Sequence, residues 1–199
     1  MNKPIGMIVA AVALGFGIAM SAHATPATYT FSGVGSGAVA NDSGTSFTDE
    51  PFTFVFSADT TAIDTTADPF FYLHNVGGTF TVGAFTATLT PTVTIVSSAD
   101  PSLELINFFN AAVTLGLGLH NAALNGYDLS TSIGPLPGDF LTPTFGGGGF
   151  ATTGGASVEI TSNTALTFTA AVAAVPEPAT LALLGLGLAG LGFSRRRAR

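Results

Sequence analysis

Residues 80–95 read Phe-Thr-Val-Gly-Ala-Phe-Thr-Ala-Thr-Leu-Thr-Pro-Thr-Val-Thr-Ile, with apolar side chains at every second place across most of the stretch. A period of two is that of a strand with one face buried and the other wet. The same alternation spreads outward from it to Tyr29 and Phe31, to Phe52, Phe54 and Phe56, to Val158 and Ile160, and to Leu166 and Phe168. Turn-forming residues separate these runs, as in Asn41-Asp42-Ser43-Gly44, Ala67-Asp68-Pro69, Asn75-Val76-Gly77-Gly78 and Asn125-Gly126. Many short strands so punctuated predict an all-β, antiparallel β-sandwich-like ectodomain. Two stretches fit less simply. Residues 103–119 suit either a strand pair or a short helix, and residues 133–155, with three prolines and the Gly146–Gly149 tract, read as a long mobile loop.

Within the opening stretch, Thr86, Thr88, Thr90, Thr92 and Thr94 take alternate places. On an extended strand they would share one face at a spacing of about 6.7 Å. That makes them a candidate ligand face, able to order water or meet a sugar polymer. Pro91 interrupts ladder bonding there, and the plainer reading is an ordinary solvent-facing side.

Charge separates the chain into three parts. All five basic residues lie at the ends: Lys3, Arg195, Arg196, Arg197 and Arg199. Of the twelve acids only Glu177 lies in the tail, so the middle holds eleven acids and no base. Lys3, the apolar run 5–20 and Ala22-His23-Ala24 have the layout of a secretory signal, which predicts a signal peptide at 1–24, a helix removed by signal peptidase. At the other end Pro176 and Pro178 mark a boundary, after which an apolar run from 179 to 193 precedes the arginines. As a helix that run measures about 22 Å against a hydrocarbon core of about 30 Å, which makes it a short transmembrane helix. Lys3 outside the first apolar run and the arginines outside the second put the chain ends in the cytoplasm and the acidic domain, 25–174, outside. An acidic domain of this kind repels nucleic acid and anionic lipid. With no cysteine, it folds without disulfides.

The order Val175-Pro176-Glu177-Pro178, short apolar helix, Arg195-Arg196-Arg197 and Arg199 resembles the PEP-CTERM sorting signal of Gram-negative bacteria. The resemblance covers residues 175–199 only. It implies an inner-membrane-anchored precursor processed by an exosortase near Pro176, Glu177 and Pro178. It further implies a final location at the cell surface or outside the cell, in association with exopolysaccharide.

Catalytic signatures are weak by comparison. Asp42-Ser43-Gly44-Thr45 matches an aspartic-protease string, but only once, and that chemistry needs two carboxylates. Gly185, Gly187 and Gly190 have dinucleotide-site spacing but lie in the apolar tail, where small residues serve helix packing. Outside the leader the histidines are His74 and His120, with no ligand spacing between them. Asp59, Asp64 and Asp68 cluster before Pro69 without the spacing of a calcium loop. The expectation is therefore a protein that is not an enzyme, with no catalytic residue, metal or cofactor.

Overall fold

The computed structural model describes residues 25–40, 45–110, 115–141 and 149–174. The expected signal helix, transmembrane helix and arginine cluster lie outside the described residues. Nine strands follow one another: β1 (Pro26–Ala40), β2 (Ser46–Asp59), β3 (Phe70–Val82), β4 (Phe85–Ser98), β5 (Leu105–Asn110), β6 (Leu115–His120), β7 (Ile133–Leu141), β8 (Phe150–Ala151) and β9 (Ser157–Val172). The only helical pieces among the described residues are short 3-10 turns at Thr60–Ala62 and Ala122–Leu124. Residues 103–119 thus contain the strand pair rather than the helix. Residues 133–155 are strand at both ends, which corrects the reading of one long loop; Pro135 sits where the register of β7 with β9 shifts, between Ile133 and Leu136, and Pro137 is in register opposite Thr167.

All pairings are antiparallel, and the all-β expectation holds. The two packed sheets of a sandwich do not form. Instead one sheet runs β1 to β7 in sequence order, then β9, and β9 pairs back onto β1, so that it nearly closes into a barrel. What closes the sheet is the double pairing of β1: β1 and β9 have 15 and 16 residues, and β1 carries ladders on both edges, from Pro26 opposite Asp59 on one side to Ala27 opposite Val172 on the other.

The interior is filled by the phenylalanines of the alternating runs. Phe31, Phe54, Phe80 and Phe168 are fully buried and stand opposite one another across β9, β1, β2 and β3. Phe54 lies 4.7 Å from Phe80 and 5.0 Å from Phe150 between ring centroids, and Phe108 lies 5.1 Å from Phe56. Such contacts add about 0.5–1.5 kcal/mol per pair beyond the burial itself. Phe31, Phe54, Phe80 and Phe168 point in, while Thr30, Thr53, Thr79, Thr81 and Thr88 of the same strands and of β4 are half-buried or exposed.

One end of the barrel is closed by residues 121–132. Leu124, Tyr127 and Leu129 are buried there. The Tyr29 hydroxyl donates to the Leu129 carbonyl at 2.6 Å, and the Ser97 hydroxyl donates to the Tyr127 carbonyl at 2.6 Å. The chain also enters and leaves at this end, where the Ala173 amide donates to the Pro26 carbonyl at 2.9 Å.

Candidate functional site

The acids explain themselves at the turns. Asp59 accepts from the amide and hydroxyl of Thr61, Asp64 from those of Thr66, Asp100 from those of Ser102 and Asp128 from those of Ser130, all at 2.7–3.0 Å. Each pair is Asp-x-Ser/Thr, a local cap that substitutes for a backbone bond, and that spacing is readable in the sequence. The Thr61 amide and hydroxyl hold the Asp59 carboxyl below its usual range; the Thr66 and Ser102 hydroxyls and amides do the same for Asp64 and Asp100. Two of the three acids before Pro69, Asp59 and Asp64, are thus occupied as caps. Among the described residues no group of three His, Asp or Glu is placed to hold a metal.

His74 is brought between Asp64 and Thr94. Its Nε2 stands 3.7 Å from Asp64 Oδ2, its Nδ1 3.4 Å from Thr94 Oγ1, and Tyr72 stacks on the ring at 5.3 Å. The order imitates a catalytic triad, yet the first distance exceeds a hydrogen bond and the Thr94 side chain is buried, out of reach of an acyl group. His120 is on β6 opposite Leu105 and Asp139, remote in the ladder from His74. The Asp42 string lies outside the described residues.

The five alternate threonines of β4 are not brought onto one exposed face. Thr86, Thr88 and Thr92 are exposed, Thr90 is half-buried with its hydroxyl on the Ala151 carbonyl at 3.2 Å, and Thr94 is only 3% exposed. Strand pairing gathers threonines in another direction, across the strands. Thr167 of β9 lies opposite Ser32 of β1, Ser32 opposite Thr53 of β2, Thr53 opposite Thr81 of β3 and Thr81 opposite Thr86 of β4. A second row, one step along each strand, is Thr169, Thr30, Val55, Thr79 and Thr88. Residues directly opposite point to the same side, and here that is the outside: none of the ten is buried. Neighbours in a row are about 4.8 Å apart and the rows about 6.7 Å apart. Thr81 and Thr86 hydroxyls meet at 3.3 Å. At the β4 end the rows run into a groove of about 270 Å³ lined by Phe85, Thr86, Ala87, Thr88, Thr152, Gly154 and Ala156. The sequence shows each pair of alternate residues, but the five-strand register that joins them is not local information.

The tail is identified by comparison. Residues 174–197 match the family model of the PEP-CTERM protein-sorting motif. The match confirms the resemblance carried by Val175 to Pro178 and the terminal arginines, and marks an exported protein processed by an exosortase. No curated protein and no solved structure matches the chain.

Proposed function

We propose that this chain is the precursor of a non-enzymatic surface or matrix protein of a Gram-negative envelope. Signal peptidase removes residues 1–24, the tail helix holds the precursor in the inner membrane, and exosortase acts at Val175–Pro178. Arg195, Arg196, Arg197 and Arg199 keep the far end of that helix in the cytoplasm. The delivered part is the barrel, 25–174. The observation that carries this reading is the abutment of fold and motif: among the described residues the last backbone bond of the barrel is made by the Ala173 amide, and the sorting motif begins at residue 174. Every described bond of the barrel therefore lies before the tail that is cut. The non-enzymatic reading is supported by the His74 geometry, in which Thr94, whose hydroxyl stands beside the imidazole, is buried. Mass spectrometry of membrane and extracellular fractions tests the processing. In exosortase-competent cells the mature protein is expected to lack the arginine cluster, and in cells without exosortase to keep it. A mature chain intact through Arg199 in competent cells removes the reading.

A further inference from the structure

We infer that the outer face of β9, β1, β2, β3 and β4, together with the groove at its β4 edge, is a binding site for an uncharged, hydroxyl-rich polymer chain, a neutral glycan.

Three observations converge on that chemistry. The first is charge. The two rows and the groove contain no ionisable residue, in a domain whose middle has eleven acids and no base. An anionic polymer finds no cation to pair with and meets a negative surface, while a cationic one would seat on the turn acids rather than here. A neutral chain is the class this patch accepts.

The second is hydrogen bonding. Nine of the ten row residues, all but Val55, carry a hydroxyl, and among these only Thr81 and Thr86 have a described side-chain partner, each other. The hydroxyls of Thr30, Ser32, Thr53, Thr167 and Thr169, on half-buried residues, and of Thr79 and Thr88, on exposed ones, therefore keep donor and acceptor capacity. Threonine sets a methyl beside each hydroxyl, which suits the mixed polar and C–H faces of a sugar ring. The third is shape. The rows end in a half-open groove lined by Phe85, Ala87 and Ala156, so a chain lying along a row has a recess in which to terminate.

Curvature decides between this occupant and an ice surface. Adjacent strands rotate by about 20–25°, so the four steps from β9 to β4 accumulate roughly 80–100°. A flat crystal plane would match only part of such a surface, whereas a flexible polymer follows it.

The test is electrophoresis of the full-length chain, in mild detergent, through native gels containing hydroxyethyl cellulose, dextran or galactomannan, with alginate as the anionic comparison. Retardation in at least one neutral glycan and none in alginate is expected. The triple variant Thr53→Val, Thr81→Val, Thr86→Val keeps shape and strand preference, so its melting temperature should hold while its affinity falls at least tenfold. Thr92→Val, beyond Pro91 and outside both rows, should leave retardation unchanged. Retardation in none of the three neutral glycans, retardation of the triple variant equal to the parent, or inhibition of ice growth without glycan retardation overturns the inference. The assay needs no exosortase, so a negative result leaves the sorting reading intact, and an uncut tail in cells strikes only the latter.

Discussion

Tyr29 ties the first strand to the closing loop. It is fully buried, and its hydroxyl is held by the carbonyl of Leu129, itself fully buried. Burial first, then the negative charge of Asp128, pushes its ionisation upward; burial, Tyr29 and Asp128 do the same to Tyr127. Both phenols thus stay protonated in the fold where an unfolded chain begins to lose its protons, near pH 10. The raised folded value means that stability is full below about pH 10 and declines as pH climbs above it. Thermal melts between pH 8 and 11.5 should show that decline, and Tyr29→Phe should flatten it. At neutral pH Tyr29→Phe leaves the Leu129 carbonyl without its donor, which should cost about 1–3 kcal/mol in urea unfolding. A neutral-pH loss without any change in the alkaline slope would put the alkaline sensitivity elsewhere.

At the scale of strands, the seam between β1 and β9 closes the barrel, and glycines let it close. Gly37 lies opposite Phe47 on β2 and Ile160 on β9, next to the register shift at Ser36/Gly37. A Cβ there would run into the Glu159 carbonyl and the Phe47 ring. Gly37→Ala is therefore expected to destabilise by about 1–3 kcal/mol, the range for overpacking, as read from denaturant midpoints. Gly154→Ala, with only the Thr152 hydroxyl at 3.8 Å from the added carbon, serves as the comparison and should cost far less. Such strands were legible from the sequence because Phe52, Phe54 and Phe56 recur at every second place, with the β-branched Thr53 and Val55 between them, and that pattern depends on neighbours alone. Their closure was not, since the partner of Phe31 is Phe168, and no local pattern reports a pairing across that separation. The same limit hid the outer threonine rows while leaving the row along β4 visible. Thr94 lies opposite Phe109 of β5 and its hydroxyl meets His74 of β3, again cross-strand facts.

For the whole molecule, the join of β1 to β9 links folding to the tail. Pairings of such long sequence separation are slow to form. The barrel cannot close until β9 has been exported, and the sorting motif begins two residues after β9 ends. Closure and emergence of the sorting motif therefore belong to the same stage of export. It follows that trimming at the motif and trimming inside β9 should differ sharply. A chain ending at Ala174 keeps every ladder bond and the Ser132 hydroxyl on the Val172 amide at 2.8 Å, so it should melt cooperatively at the temperature of the full-length chain. A chain ending at Thr167 loses Phe168 and Ala170 from the core and frees β1 from Ala27 to Phe31. Removing a buried phenylalanine alone costs about 3–5 kcal/mol, against about 5–15 kcal/mol for the stability of an entire domain. With the ladder bonds lost as well, that shorter chain should be unfolded at 25 °C by circular dichroism and cleaved within minutes by a nonspecific protease. Equal protease resistance of the two chains would show that the seam is dispensable and that the fold does not wait for β9.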